Sequence, residues 1–320
     1  MLKHYNQFVD YPRCRIYRQF VQSIINDRSI RTNGGSGLFY YTVLCTYTNF
    51  RTSYHRIGNI RYTVSPGQWA CTLTELRKLF RVSRPSKAIA ILDMLQNKKV
   101  ITYELLADGK AVKYTICNWK FHNSMLGSEC PSQKTSGFFF MPLTTAFKLI
   151  KGSRCSEADM YLDLWLSTIY DDPRVIGSDI GPVVYLRNGT GNPLLNCTQL
   201  AKRWGVSRAT VSRVLDRFVQ LDYIELISFP GNAGSVIFLK DYLTTMFQVP
   251  RTSIDKMEVS KTFRLRISDE YDYRDLIVPS HPSCVSPQNV PVSDWNNGVE
   301  WFELVDPQTF QVFRVSALPE

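Results

Sequence analysis

Histidine and cysteine have the widest chemical range of any side chains, but their spacing in this chain argues against a reactive centre. His4, His55, His122 and His281 each stand alone, with no second His or Cys at metal-ligand spacing. The cysteines, at 14, 45, 71, 117, 130, 155, 197 and 284, form no Cys-x-x-Cys pair. Several fall in apolar runs and read as small buried residues of a reduced, cytoplasmic protein. Neither a Gly-x-Ser-x-Gly elbow nor a phosphate-loop Gly-Lys-Ser/Thr pattern occurs. Arg187-Asn-Gly-Thr-Gly-Asn-Pro has a phosphate-loop composition but sits where a connecting turn is expected. Asp269, Glu270, Asp272 and Asp275 could hold a divalent ion, but a solvated face or a protein-binding surface is the simpler reading. The expectation is a protein that is not an enzyme and that needs no cofactor and no metal.

The chemistry that does stand out is cationic. Residues 203–218, RWGVSRATVSRVLDRF, carry four arginines on a helical pattern. Val211, Val214, Leu215 and Phe218 step i, i+3, i+4, i+7 and form one apolar stripe. Off the stripe stand Ser207, Arg208, Thr210, Ser212, Arg213 and Arg217. An arginine fork can read guanine or clamp phosphate, and Ser or Thr adds a short hydrogen bond. For a lone segment, a solvated charged face would explain as much. The setting favours a polyanionic partner: the net charge is +10, and it divides into +14 over residues 1–250 and −4 over 251–320. No apolar run has the ~18–20 residues of a membrane span, so no membrane partner is expected.

The elements that must position this helix occur twice. Residues 72–101 (TLTELRKLFRVSRPSKAIAILDMLQNKKVI) align with 196–224 (NCTQLAKRWGVSRATVSRVLDRFVQLDYI). The Val-Ser-Arg turns, Val82–Arg84 and Val206–Arg208, lie 124 positions apart. One extra residue in the first turn, near Pro85, shifts the offset to 123 and sets Ala88, Ile91, Leu92 and Leu95 on the second stripe, with Ile101 on Ile224. Hairpin signals follow both helices; in the first, Asp108-Gly109 suits a tight turn with positive φ. A long apolar helix (38–50 and 157–170) and a β-prone run (60–64 and 182–187) precede each copy, with Ser156 and Asp159 placed to cap the second long helix.

Helix, strand, helix, turn, helix, hairpin is the winged helix-turn-helix order. The expected fold is mainly α with small β wings (α+β): a first winged-helix domain with an N-terminal helical extension at 1–121, a linker at 122–136, and a second winged-helix domain at 137–248. An acidic tail, 249–320, follows, with a hairpin at 299–316. In the first unit the outward candidates are Ser83, Arg84, Ser86 and Lys87, with Lys110 and Lys113 on or near the wing and Pro85 expected to alter the entry turn.

RWGVSRATVSRVLDRF, with LDYIEL and a Gly-rich wing after it, resembles the recognition region of bacterial winged-helix regulators of the MarR and related families. Residues 15–121 resemble the N-terminal winged-helix domain of DnaD-type phage replication proteins through RIYRQF, GLFYYTVLCTYTNF, SPGQWACTLTELRKLF and KYTICNWKFH. The helical C-terminal domain of that family is not apparent. These resemblances imply a bacterial or mobile-element protein that binds double-stranded DNA in the major groove to regulate transcription. The alternatives are a plasmid, phage or integrative-element replication initiator, or an interaction scaffold whose acidic tail binds protein. Two tandem readers in one chain, or a homodimer of them, would give an extended or palindromic site.

Overall fold

The computed structural model describes residues 8–32, 35–123, 137–231, 233–247, 250–251 and 253–267, together with the backbone of 301–305 and 312–316. The first half runs β1 (Arg13–Tyr17), α1 (Arg18–Asn26), α2 (Gly37–Tyr47), β2 (Ser53–Ile57), β3 (Ile60–Val64), β4 (Gln68–Thr72), α3 (Leu73–Leu79), α4 (Pro85–Asn97), β5 (Ile101–Leu106), β6 (Ala111–Ile116) and α5 (Trp119–Asn123). The second runs β7 (Phe138–Pro142), α6 (Leu143–Ile150), α7 (Glu157–Leu166), β8 (Thr168–Ile169), β9 (Val183–Val184), α8 (Cys197–Trp204), α9 (Arg208–Gln220), β10 (Ile224–Phe229), β11 (Gly234–Leu239), α10 (Tyr242–Phe247) and α11 (Lys256–Phe263).

The repeat seen in the sequence recurs at the level of single hydrogen bonds. Thr72 and Asn196 each close a capping box, with Glu75 and Gln199, and so start α3 and α8. Arg81 and Gly205, one residue or two past those helices, both take left-handed backbone, φ 58 and 64. α4 and α9 end alike: Lys99 and Asp222 are left-handed, and the next residue donates back to the helix, Val100 to Leu95 and Tyr223 to Phe218. Each hairpin then folds over, Cys117 donating to Val100 and Lys240 to Tyr223. The 123-residue offset holds throughout these later pairs. The buried residues of α4 and α9 are the two apolar stripes expected from the sequence.

Several expectations shift. Residues 60–64 do form a strand, but it pairs with β2 in a separate hairpin; the strand that joins β5 and β6 is β4, in the order β4-β6-β5. Thr72 serves as both last strand residue and helix cap, so one short polar-apolar stretch hides two elements. In the second half the 182–187 run yields only Val183–Val184, in the order β10-β11-β9-β8. Residues 253–267, expected in the tail, pack by Val259 and Ile267 against Ile169, Val183, Phe229 and Phe238. The long helices are also shorter than expected: Thr48 takes extended backbone and ends the first, and β8 begins at Thr168, right after the second. Of the expected linker, His122 and Asn123 belong to α5; residues 124–136 lie outside the described residues, as does the 269–275 acidic cluster.

The halves join through β1 and β7, antiparallel with Arg15 opposite Phe140, and through one buried cluster that includes Leu38, Leu44, Leu92, Leu162, Trp165 and Leu215. The second compact unit, 270–320, is described by the hairpin β12 (Trp301–Val305) and β13 (Val312–Ser316).

α8 is fixed to α7 by a buried carboxylate. Asp163, 1% exposed, accepts from Arg203 Nε at 2.6 Å, from the other end of that guanidinium at 2.7 Å, and from Trp204 Nε1 at 2.7 Å. Removing one partner of such a pair strands a buried charge. Asp163→Ala is expected to lower unfolding free energy by about 3–5 kcal/mol in urea titration.

Candidate nucleic-acid interface

The turn between α8 and α9 is narrow by construction. Gly205 has φ 64, and a β-carbon there would stand 2.6 Å from the Ser153 carbonyl oxygen, closer than any side chain tolerates. Two residues later Ser207 is the N-cap of α9 and accepts from the Thr210 amide at 3.1 Å. The apolar stripe then holds α9 against the core, so its other side is outward by elimination. Ser207, Arg208, Ala209, Ser212 and Arg213 are all exposed, and they crowd the helix N-terminus, whose dipole favours an anion.

The expected contact residues divide by what each already holds. Arg208 projects from the first turn, and Arg213 keeps an exposed guanidinium while its Nε reaches Ala209 O at 3.3 Å. Ser212 Oγ lies 3.4 Å from Asp216. The Ser207 and Thr210 hydroxyls are 2.9 Å apart within the cap, so a groove would share them with the helix end. Arg217 departs from expectation. It turns inward, donates to the Ser29 carbonyl and lies 3.7 Å from Glu157. It stands one turn past Arg213, where the helix surface rolls towards the first half of the chain.

In the first half, Ser83, Arg84, Ser86 and Lys87 are exposed at the start of α4. The entry turn differs as expected. Arg81 and Gly205 lie 124 positions apart but the helix starts, Pro85 and Arg208, lie 123 apart, so the first turn is one residue longer, and its N-cap Arg84 makes no side-chain cap. Pro85 itself occupies the first turn of the helix, where its missing N–H costs nothing. Lys110 is exposed at the tip of the β5–β6 hairpin, whose residues Ala107, Asp108 and Gly109 all have positive φ. Lys113 is instead paired with Glu104, its cross-strand neighbour.

Sequence reasoning did not find Arg31 and Arg154. With Thr210, Arg213, Arg217 and Glu157 they line a cleft of about 540 Å³ beside α9. Both arginines are exposed and lie in connections between helices, so no periodic pattern points to them. The 187–193 loop closes on itself: Asn188 accepts from the Thr190 amide, and a β-carbon on Gly191 would stand 2.2 Å from Arg174 O. Burial pushes the Cys45 and Cys155 thiols well above their ordinary range and Cys71 up to about 12, opposite to what a nucleophile needs. Among the described residues no three His, Cys, Asp or Glu side chains gather as metal ligands, and no helix is long and apolar enough to cross a membrane.

Residues 184–233 match the model of the MarR family. The match runs from β9 through α8 and α9 to the tip of the β10–β11 hairpin, and makes this segment a MarR-like winged-helix unit. None of the curated proteins and no solved structure matches the chain.

The turn geometry is open to a direct check. Gly205→Ala is expected to cost at least about 1–2 kcal/mol of stability from its left-handed backbone alone. Gly231→Ala, at φ 67 but with open space around it, is expected to cost less. Thermal unfolding of the two variants measures the clash with Ser153.

Proposed function

We propose that the chain is a sequence-specific double-stranded DNA-binding protein that regulates transcription, with α9 as the helix that enters the major groove. The observation that carries the reading is the pair Arg208 and Arg213, exposed on the first turns of a capped helix within the MarR-like segment. Ser207, Thr210 and Ser212 stand beside them as short hydrogen-bonding groups. Arg154, and Arg31 at 3.6 Å from Glu157, add positive charge beside α9, where phosphate contacts would position a duplex. The first half, 1–121, is read as a second winged-helix unit, with Ser83, Arg84, Ser86 and Lys87 at the start of its equivalent helix and Lys110 on its wing. The reading needs no cofactor and no catalysis: protein–DNA recognition requires only placed donors and a positive field.

Arg208→Ala and Arg213→Ala are each expected to weaken binding to a selected duplex by about 1–3 kcal/mol if they read bases. Arg154→Ala is expected to weaken binding to all duplexes alike and to flatten the salt dependence by about one ion. Fluorescence anisotropy against selected and random duplexes, across a salt series, measures both. Equal affinity for every sequence would end the claim of specificity.

A further inference from the structure

The two halves meet through like parts. Arg15 and Phe140 are opposite each other in the β1–β7 ladder and occupy the same place in their strands. The register is symmetric about them, with Tyr17 opposite Phe138 and Arg13 opposite Pro142. A second like pair closes in the core: Ser36 and Ser156 are the residues preceding α2 and α7, and Ser36 donates to Ser156 at 2.6 Å.

The contacts away from these pairs are reciprocal. Lys98, just after α4, reaches Leu149 O at 3.4 Å, in the last turn of α6, and Ser153 Oγ at 3.2 Å, just past it. Arg217 and Tyr223, at the end of α9 and just past it, reach Ser29 and Asp27, in the turn after α1. Part A of one half touches part B of the other, and the reverse also holds. That is the pattern of an isologous two-fold interface, here closed within one chain.

Both α4 and α9 flank the Ser36–Ser156 end of this relation. A β-carbon on Gly37, the first residue of α2, would touch Met94 of α4, and α9 lines the cleft that includes Ser156. The helices are equivalent in backbone and unequal in chemistry. Where α9 has Thr210 and Arg213, α4 has Lys87 and Ala90.

Resting on the reading that α9 enters the major groove, we propose that one chain binds a duplex site made of two unequal half-sites in inverted orientation. α9 reads one and α4 the other. The shared core and the β1–β7 ladder set their separation, so the spacer is rigidly specified.

The test selects duplexes from a random pool with the full chain, then weighs the complexes by native mass spectrometry and measures affinities by anisotropy. The expected result is two different blocks in inverted orientation with one chain per duplex. Arg84→Ala combined with Lys87→Ala should relax the preference in one block, and Arg208→Ala combined with Arg213→Ala in the other. Inserting five base pairs between the blocks turns one through about half a helical turn and should cost at least about tenfold in affinity. Circular dichroism on the variants, all at exposed positions, checks that they fold. A single block, direct orientation, two chains per duplex, or indifference to the insertion overturns the proposal. Loss of binding in the α9 variant with a silent α4 variant overturns it while leaving the α9 reading intact. Absence of any sequence preference removes both.

Discussion

α2 and α7 are buried along nearly their whole lengths, from Gly37 to Thr46 and from Ala158 to Leu166. A helix with no solvent face must be enclosed by other elements, and its polar groups need partners inside; Trp165 Nε1 on α7 is an exception, with none among the described residues. Thr42 and Thr46 bond back to the carbonyls four residues earlier. Asp159 accepts from the Phe39 amide at the start of α2, which ties the two helices together. Their last carbonyls are met by arginines from elsewhere: Arg18 donates to Thr46 and Thr48, and Arg187 to Leu166. α1, α4, α6 and β7 pack on α2, and α6 packs on α7 as well.

The outward chemistry of α9 is a consequence of that enclosure. Asp163 on α7 orients Arg203 and Trp204 at the end of α8, and the Gly205 turn then fixes where α9 begins. The same step in the first half uses Phe80, buried in place of Trp204, with no ion pair described beneath it. Each cap and turn therefore fixes an angle as well as an end. Two arginines of α8 and α9 are consumed in holding the fold, Arg203 and Arg217; two are left exposed, Arg208 and Arg213. That division separates a structural arginine from one able to meet a ligand, although all four share one short segment.

The repeat keeps its backbone hydrogen bonds and lets its surfaces diverge. Left-handed residues at Arg81 and Gly205, and at Lys99 and Asp222, preserve the turns that bracket each helix. Arg81 takes a conformation that costs a side-chain-bearing residue about 1–2 kcal/mol, and its guanidinium is held there by the Ile24 and Asp27 carbonyls. Gly205 needs no such help but must be small, because Ser153 stands against it. The same fold position is thus met by two different physical solutions.

The sequence by itself determined the apolar faces of the two repeated helices and the cap of α7, features that depend on local periodicity and local capping. Ala88, Ile91, Leu92 and Leu95, and Val211, Val214, Leu215 and Phe218, are buried as their spacing requires, and Ser156 with Asp159 starts α7 as a capping box. Helical spacing shows which side of a helix is apolar, and a cap pairs residues three apart, so both can be read from a short window. The tertiary structure alone decided which polar residues face a neighbour and which face water. Arg217 and Arg213 differ by one turn and look alike in sequence; only the approach of Ser29, 188 residues away, separates them. Arg31 and Arg154 come beside α9, and β1 finds β7, for the same reason. Such contacts depend on how the chain closes on itself, and the identity of an arginine does not encode where a distant carbonyl will lie.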